Sequence, residues 1–423
     1  MTGVHEGRTL TVPVANPNRT RDDITAPAQP PQLHAPWTTP DRETLLAAAR
    51  KFTYTEVLPT ANSHDRTGEA IPPALMTRLA ELGYFGVTVP TEYGGLGLGV
   101  FEYAMISEEL SRAWMSVASI IARAQGLGTR FDDPDRRRAL TERSARGQWI
   151  GAAAFSEPES GSDLGSVQTI ARRVGDHYVI NGRKRWCGIA YEGDFILVLC
   201  RIDDNSEAPG PIRTFVLEKP RNSFPPGISG EPIDKIGYNG IISWDLTLTD
   251  VPVAADALVE PFGFSGAEGK GFKAVENGLN VARVQTAARA VGLARGALED
   301  TVNYLQSRVQ FGTPLADFQA LRFTVADMAA KITQARSFYQ YVANLMDNGV
   351  PCEREAAMTK LLATEMAVEV TGQAMQLFGG NGYTREYAVE RYWRDARLTT
   401  IFEGTSQIQQ KIISDRILPR PNR

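Results

Sequence analysis

The feature that most constrains the fold is a long apolar stripe in the C-terminal part of the chain. Apolar residues recur there at alternating spacings of four and three, over about seven helical turns: Leu321, Val325, Met328, Ile332, Ala335, Tyr339, Val342 and Met346. This spacing places the stripe on one face of an α-helix, which must pack along other helices. A second helix is predicted from about residue 353 to Phe378, where Gly379 and Gly380 end it.

The first 150 residues predict a tail followed by helices. Residues 1–40 contain seven prolines and no sustained period, so we expect a poorly ordered tail. Residues 41–150 predict an α-helical domain. Its helices are expected to begin at Asp41 as the capping residue, to span residues 73–82, and to span residues 100–124 as a longer buried helix.

Residues 151–265 have the alternation that is typical of strands. β-forming residues flank Asn181-Gly182, a dipeptide favoured in hairpin turns. Further strands are predicted at residues 195–200, 214–217 and 244–248. Their close spacing, without helices between them, favours an antiparallel sheet or small barrel over a doubly wound sheet. The order helical, β, helical suggests that the two helical parts form one bundle and that the β domain is inserted between them.

Composition and residue usage exclude several classes of protein. The net charge of -4 gives no reason to expect a nucleic-acid partner. The longest compact apolar run, residues 195–200, is too short for a membrane span, and the N-terminus has no signal-peptide core. Three widely spaced cysteines indicate a reducing cytoplasm and no zinc site. Three of the four histidines fall in the first 64 residues, which argues against a Ser–His–Asp hydrolase and a histidine-rich metal site.

Two segments near the start of the β region could hold a ligand. Residues 155–163 (FSEPESGSD) are rich in small residues, and Ser156 and Ser162 offer hydroxyl groups beside exposed amides. This loop could hold a flavin edge or a pyrophosphate, or it could be a polar turn between domains. Trp186 could stack on an aromatic cofactor, or it could belong to the core.

Two segments near the C-terminus are further candidates. Glu403 lies on a short turn before a last helix, which Thr405 or Ser406 could cap. If it is buried beside Phe402, its pKa rises and it becomes a competent general base; otherwise it is a helix-capping acid. The glycines of residues 376–383 form either a ligand loop or simply a helix stop.

Taken in order, six segments resemble the acyl-CoA dehydrogenase family over residues 40–418. Residues 81–95 resemble the family's N-terminal helix junction. The other five segments, each with the family motif that it resembles, are residues 155–163 (TEPxxGSD loop), 184–186 (start of the KxWIT strand), 308–312 with 318–319 (RxxFG…fQ), 376–383 (QxxGGxGY) and 402–409 ((Y/F)EGTSQIQ). Any one of these matches is weak, but six in the family's order are specific.

The resemblance implies an α+β fold with an N-terminal α-helical domain, a central antiparallel β domain (residues 151–265) and a C-terminal four-helix bundle (residues 266–423). It also implies a homotetramer or homodimer that binds FAD between the β domain and the bundle, partly through a neighbouring subunit. The implied cofactor-binding residues are Phe155, Ser156, Gly161, Ser162, Trp186, Gly188, Arg308, Gln310, Phe311, Gln376, Gly379, Gly380, Thr405 and Gln407. The implied substrate-binding residues are Ser162, Arg283, Phe402 and Gly404.

The resemblance further implies the α,β-dehydrogenation of an acyl thioester, carried by coenzyme A or by an acyl carrier protein. Glu403 matches the family's catalytic base, which takes the α-proton while the β-hydride passes to flavin N5. Some relatives place this base on the helix that begins near residue 280, but the matching position here is Ala282. An electron-transfer flavoprotein is the implied electron acceptor.

One departure from the family pattern keeps an alternative function open. The family's Trp-Ile-Thr reads Trp186-Cys187-Gly188 here, so the threonine hydroxyl that contacts flavin N5 is missing. A flavin oxidase or monooxygenase on the same fold is therefore the alternative to a dehydrogenase. A non-catalytic, nucleic-acid-associated relative is a third interpretation, against which the acidic net charge speaks.

Overall fold

The computed structural model describes residues 37–124, 131, 133–203, 210–259 and 271–418, with only the backbone for residues 271–278. The tail predicted for residues 1–40 thus lies almost wholly outside the described residues. Within residues 37–40, the Trp37 ring lies 5.7 Å from that of Phe101, and Pro40 begins the first helix.

Six α-helices form the N-terminal part of the described chain: α1 (Pro40–Phe52), α2 (Leu58–Thr67), α3 (Pro73–Glu81), α4 (Val100–Ala113), α5 (Met115–Ile120) and α6 (Pro134–Ala145). A π-helical turn at Thr53–Val57 joins α1 to α2. The predicted cap at Asp41 is wrong, because Thr39 Oγ1 accepts a hydrogen bond from Arg42 N at 3.2 Å. Asp41 lies in the first turn, where its charge favours the helix N-terminus.

The single helix predicted for residues 100–124 is wrong, because Trp114 interrupts it. The backbone of Trp114 is extended (φ -154°, ψ 108°), and this residue separates α4 from α5. Its side chain is fully buried, and the ring lies 6.5 Å from His64 of α2. Packing of this large ring overrides a sequence whose local preference is helical.

The central part is a sheet of eight strands: β1 (Gly151–Ala154), β2 (Ile170–Val174), β3 (His177–Gly188), β4 (Phe195–Asp203), β5 (Ile212–Glu218), β6 (Ile228–Pro232), β7 (Ser243–Ala254) and β8 (Leu258–Val259). The strand order is β6-β7-β3-β2-β4-β5-β8, and β1 pairs with β4. The prediction of an antiparallel sheet needs one correction, since β1 and β2 both run parallel to β4. β3 runs antiparallel to β2, and the short connection at residues 189–194 reverses the chain again, so that β4 has the same direction as β2.

The hairpin turn predicted at Asn181-Gly182 is also wrong. Both residues lie within β3, at a shift in its register against β7 between Ile180 and Gly182. The side chain of Asn181 accepts a hydrogen bond from Asp250 N (2.9 Å) and donates one to Asp250 Oδ1 (3.0 Å). These bonds use the asparagine to stabilise an irregular pairing instead of a turn. The β2–β3 turn lies before His177, at Gly175 (φ 63°).

The C-terminal part comprises α7 (Gly271–Ser307), a short hairpin of β9 (Val309–Gln310) and β10 (Thr313–Pro314), α8 (Gln319–Asp347), α9 (Glu353–Phe378), α10 (Val389–Thr399) and α11 (Ser406–Ile417). The predicted apolar stripe lies in α8, where Met328, Ile332, Ala335, Tyr339 and Val342 are buried. Helix α9 ends at Phe378, as predicted from the glycines that follow it.

One apolar core joins the N-terminal helices to the C-terminal ones, and the sheet has a separate core of its own. Buried ion pairs add to the helical core: Arg295 of α7 pairs with Glu109 of α4 at 2.6 Å, and Arg112 of α4 pairs with Asp300 of α7 at 2.7 Å. The predicted architecture of helical domain, β domain and helical bundle is confirmed. In the described part of the chain, each helix is too short or too polar to cross a membrane.

Candidate active site

Glu403 lies on a tight turn between α10 and α11. Its φ of 54° and that of Gly404 (86°) are both left-handed, which turns the chain sharply before α11 begins. Thr405 caps α11, with its Oγ1 accepting a hydrogen bond from Ile408 N at 3.2 Å. One of the two caps expected from the sequence is thereby confirmed. Among the described residues, the N–H of Glu403 donates to no acceptor.

A buried lysine donates a hydrogen bond to this turn. Lys360 of α9 is 0% exposed, and its Nζ donates a hydrogen bond to the carbonyl oxygen of Gly404 at 2.6 Å. Burial lowers the pKa of Lys360 to about 8, against the opposite effect of the nearby Glu403 and Glu365 carboxylates. The turn therefore has a cation beneath it, close to the carboxylate of Glu403.

A second cation, Arg289 of α7, lies against the same turn. Its guanidinium lies 5.1 Å from the ring centroid of Phe402 and donates a 2.7 Å hydrogen bond to Ser119 Oγ of α5. The hydroxyl of Tyr103, on α4, is buried nearby. Burial raises the pKa of Tyr103, and the charges of Arg289, Glu403 and Arg123 are close enough to act on it.

The carboxylate of Glu403 is exposed in the isolated chain. Phe402 is half-buried, and Ile401 is half-exposed. The burial that the sequence suggested for this acid is therefore not found on the chain alone. The groups that surround Glu403 are charged or aromatic side chains, not an apolar pocket.

The loop of residues 155–163 is held by a buried carboxylate. Glu157 accepts hydrogen bonds from Gln168 N (2.8 Å), Thr169 N (2.9 Å) and Lys184 Nζ (2.8 Å). Lys184 Nζ also donates to Phe155 O at 3.2 Å. These bonds fix the loop to β3 from within, so that its hydroxyl-bearing side faces outward.

The outward side of this loop offers donors that are free to bind. The hydroxyls of Ser156 and Ser162 have no hydrogen-bond partner among the described residues, and Ser162 and Gly161 are exposed. The carbonyl of Ser156 accepts a hydrogen bond from Arg185 N at 2.9 Å, which joins the loop to β3. Loop and strand thus form one surface.

Trp186 projects from the end of β3. It is 53% exposed and adopts a left-handed backbone conformation (φ 65°), so the interpretation of Trp186 as a core residue is wrong. Gly188, two residues on, is buried. A Cβ at residue 188 would lie 3.1 Å from Nη2 of Arg123, so the guanidinium occupies the space beside the glycine.

These residues fit a flavin dinucleotide. A flat exposed indole, two free hydroxyls and an ordered loop rich in small residues are the groups that contact an aromatic ring and a pyrophosphate. Arg123 lies beside Gly188, and its charge and that of Glu403 both act on Tyr103. The structure thus joins the loop to β3 and places Arg123 near both the end of β3 and Tyr103.

The remaining predicted cofactor residues form a second surface. Arg308, Gln310 and Phe311 follow α7, and Gln376, Gly379 and Gly380 end α9. Tyr304 joins the two stretches: its ring stacks on Phe378 at 4.1 Å, and Asn381 Nδ2 donates to its hydroxyl at 3.0 Å. No contact of this surface with the Glu403 turn occurs among the described residues, and its role stays a prediction.

Three further predicted residues lie near the turn. Arg283 is buried, with its Nη1 donating to Asn280 Oδ1 at 2.6 Å. Ala282 leaves no carboxylate at the alternative base position, and its carbonyl accepts from Thr286 Oγ1 at 2.9 Å. Gln407, on the first turn of α11, is exposed.

Sequence reasoning missed Lys360, Arg289, Arg123 and Tyr103. The signal for two of them was a charge within an apolar stretch: Arg289 interrupts residues 287–297, and Arg123 ends residues 115–124. A charge in such a stretch is unusual unless it is paired or functional. Lys360 and Tyr103 carry no comparable signal.

Comparisons with known proteins identify the family of the chain. Three family models match the chain: the N-terminal domain of acyl-CoA dehydrogenase over residues 39–146, the middle domain over residues 152–251 and the C-terminal domain over residues 269–418. The chain belongs to the acyl-CoA dehydrogenase family. It is accordingly an oxidoreductase that acts on CH–CH groups, in a family that depends on FAD.

Two curated relatives of this acyl-CoA dehydrogenase family member cover nearly the whole chain. The 3-(aryl)acrylate reductase of Clostridium sporogenes is 36% identical, over 90% of this chain and 99% of the relative. The human mitochondrial short-chain specific acyl-CoA dehydrogenase is 36% identical, over 88% of this chain and 89% of the relative. The first of these relatives is named as a reductase and the second as a dehydrogenase.

Two solved acyl-CoA dehydrogenase structures share the fold. The butyryl-CoA dehydrogenase of Megasphaera elsdenii is 32% identical and gives a TM-score of 0.81, over 92% of this chain and 100% of the other. The glutaryl-CoA dehydrogenase of Mycobacterium smegmatis, in complex with FADH2, is 25% identical and gives a TM-score of 0.81, over 91% and 96% of the two chains.

Proposed function

We propose that this protein catalyses the FAD-dependent α,β-dehydrogenation of an acyl thioester, with Glu403 as the base. One observation carries the proposal: a single residue presents a carboxylate and an N–H without an acceptor among the described residues. The carboxylate can take the α-proton, and the N–H can donate to the thioester carbonyl oxygen. Both are needed together, since the α-proton becomes acidic only when negative charge on that oxygen is stabilised.

The surrounding residues hold this arrangement in place. Lys360 fixes the Gly404 carbonyl, and the Thr405 cap fixes the start of α11, so the turn of Glu403 is anchored on both sides. Arg289 and Lys360 place positive charge near this turn. An acyl chain bound over Phe402 would exclude water from the site.

The cofactor of the proposed reaction is FAD. Phe155, Ser156 and Trp186 would hold the ring, and Ser162 and Gly161 the pyrophosphate. FAD, when bound, supplies the hydride acceptor for the β-carbon. Arg308, Gln310, Phe311, Gln376, Gly379 and Gly380 would bind the adenosine half of a partner subunit's cofactor, with Thr405 and Gln407 closing over it.

The proposal extends to partners. An electron-transfer flavoprotein is the expected acceptor of the electrons, and the acyl group is carried by coenzyme A or by a carrier protein. The free aromatic surface at Phe311 supports a homo-oligomer. A cytoplasmic location stays a prediction.

Glu403→Gln tests the base directly. The variant should bind FAD as the wild type does, and its flavin should not bleach when it is mixed anaerobically with acyl-CoA thioesters. Glu386→Gln, which removes an exposed carboxylate elsewhere, is the matched control and should bleach normally. Undiminished bleaching in Glu403→Gln would refute the role of Glu403.

A second candidate function is a flavin oxidase, which the missing side chain at Gly188 favours. In air, an oxidase forms hydrogen peroxide at the rate of thioester oxidation. A dehydrogenase forms little peroxide, and an electron-transfer flavoprotein reoxidises its flavin. Peroxide measured by a coupled peroxidase assay, with and without that acceptor, therefore separates the two functions.

A further inference from the structure

Positive charge predominates in the walls around Glu403. Four cations lie near this turn or near Tyr103 beside it: Arg123, Arg283, Arg289 and Lys360. Of these, Arg123, Arg289 and Lys360 form no ion pair within 4.0 Å with a carboxylate in the described part of the chain. The negative charge of Glu403 acts on the pKa of both Lys360 and Tyr103. Glu365 is a second acid that acts on the pKa of Lys360. The turn therefore holds more cations than its own carboxylates balance.

Among the described residues, Arg289 has only neutral hydrogen-bond partners. Its side chain donates to Ser119 Oγ (2.7 Å), Thr286 Oγ1 (2.8 Å) and Gln285 O (3.3 Å), and the residue is 4% exposed. These bonds fix the guanidinium plane toward Phe402 but neutralise none of its charge. A buried guanidinium is costly unless an anion is close to it.

Arg123 is the less constrained cation, and glycine makes room for it. Its Nη2 lies 3.1 Å from where a Cβ at Gly188 would be, so a larger residue at 188 would displace the guanidinium. Within the described chain it makes no hydrogen bond. With respect to the described residues, five donors are therefore available on a side chain beside Tyr103 and the end of β3.

We propose that the substrate's acyl group ends in a carboxylate, so that the substrate is the monothioester of a dicarboxylic acid. This rests on the proposed function. Arg123 binds the distal carboxylate in a bidentate manner, and the positive charge of Arg289, near Tyr103 as well, adds to the attraction. Glu403 and the distal carboxylate then stand at separate ends of the acyl chain, each beside its own cation.

The atoms and electrons of the reaction balance as in the proposed dehydrogenation. The α C–H bond breaks and its proton passes to Glu403. The β C–H bond breaks and its hydrogen leaves with two electrons, as a hydride, to FAD. A carbon–carbon double bond forms between the two atoms. The distal carboxylate is neither formed nor lost, and it serves only to bind.

Matched thioesters test the proposal on the FAD-loaded wild-type protein. Succinyl-, glutaryl- and adipyl-CoA are compared with butyryl-, pentanoyl- and hexanoyl-CoA, and with the methyl esters of the first three, which keep the length but not the charge. The best diacid thioester should exceed its neutral partners in kcat/KM by about 30-fold or more. If a neutral thioester is oxidised equally well, the carboxylate proposal fails and the dehydrogenation stands. If no thioester reduces the flavin, both fail.

Variants test whether Arg123 binds the distal carboxylate of the substrate. Arg123→Met should abolish the preference for the diacid thioester, and Arg123→Lys should keep part of it. Arg138→Met, which removes an exposed arginine of α6, is the control and should keep all of it. An unaltered preference in Arg123→Met would overturn the assignment.

Binding provides a readout that does not depend on turnover. In the Glu403→Gln background, calorimetry should show that Arg123→Met weakens the binding of the preferred diacid-CoA by about 30-fold, and that of its methyl ester by less than about threefold. The flavin midpoint potential should be the same with and without Arg123→Met. A shifted potential with unchanged selectivity would place Arg123 at the cofactor and overturn the proposal.

Discussion

Glu403 holds a backbone conformation that glycine adopts with less strain. Its φ of 54° is left-handed, and a side chain in that region costs about 1 kcal/mol. We predict that Glu403→Gly raises the free energy of unfolding by up to about 1 kcal/mol while it abolishes dehydrogenation. Urea denaturation and flavin bleaching measure the two effects. Glu403→Ala, which keeps the Cβ and its strain, is the control, and equal stability of the two variants would contradict the strain.

Among individual site residues, those that belong to one local motif can be predicted from the sequence. Glu403 and Thr405 are neighbours on one turn, and Thr405 is one of the two caps expected from its position before the last helix. Arg289 of α7 lies against the same turn, and Arg123, which follows α5, lies near Tyr103 beside it. Their distance from Glu403 in the sequence hides that meeting, because only the folded helices bring them together.

Among the elements, the attachment of the 155–163 loop to β3 depends on one buried ion pair, Lys184–Glu157 (2.8 Å). Removal of either partner leaves a buried charge alone, at a cost of about 3 kcal/mol. We predict that Glu157→Gln and Lys184→Met each lower the free energy of unfolding by about that amount and weaken FAD binding. The double variant should lose less than the sum.

Urea titrations of the four proteins give the coupling energy. The exposed pair Arg172–Asp203 is the control, for which a coupling below about 1 kcal/mol is expected. Additive losses at Glu157 and Lys184 would show that the two side chains act independently of each other.

Helix α10 meets α2 through two buried carboxyl groups, Asp395 and Asp65. Asp395 Oδ2 and Asp65 Oδ1 have no hydrogen-bond partner among the described atoms, while Asp395 Oδ1 accepts from Tyr238 N at 2.6 Å. Burial, and then the charge of Asp65, raise the pKa of Asp395 from 3.8 to about 7. The folded state therefore binds this proton more tightly than the unfolded state does.

This difference in proton binding sets the direction in which stability changes with pH. As pH rises from about 4 to 7, the folded protein retains a proton that the unfolded chain releases, so stability falls in this window. We predict that Asp395→Asn matches the wild type near pH 5 and exceeds it near pH 8, on the order of 2 kcal/mol. Thermal unfolding across pH checks this, with Asp256→Asn at an exposed site as the control. A constant difference at all pH values would contradict the raised pKa of Asp395.

The elements that follow from the sequence are those in which local preference and packing agree. The stripe of α8 is apolar at helical spacing and is buried on that face. Trp114 and Asn181 are the opposite case. Trp114 is not helical, although its sequence neighbours favour a helix, because its ring is buried. Asn181 lies in β3 instead of a turn, because Asp250 forms hydrogen bonds with its side chain. Neither partner is near enough in the sequence to reveal this.

For the whole molecule, the helical, β, helical order of the sequence patterns predicts an inserted β domain. One apolar core does join the flanking helical parts. The sequence cannot show what covers the outer surface, since an aromatic residue at an interface resembles one in a core. Phe311 and Tyr383 are 96% and 88% exposed. Rings so exposed, on two neighbouring loops, are typical of a contact with another chain.

We predict that Phe311→Asp reduces the mass of the protein in solution and weakens FAD binding by about tenfold or more, because one exposed aromatic anchor often dominates an interface. Light scattering after size exclusion gives the mass, and titration of the FAD-free protein gives the affinity. Val174→Asp, at an exposed apolar residue next to the β2–β3 turn, should change neither. A normal mass with weakened FAD binding would place Phe311 against the cofactor of its own chain. A normal mass with normal binding would remove this surface from both the oligomer and the cofactor site.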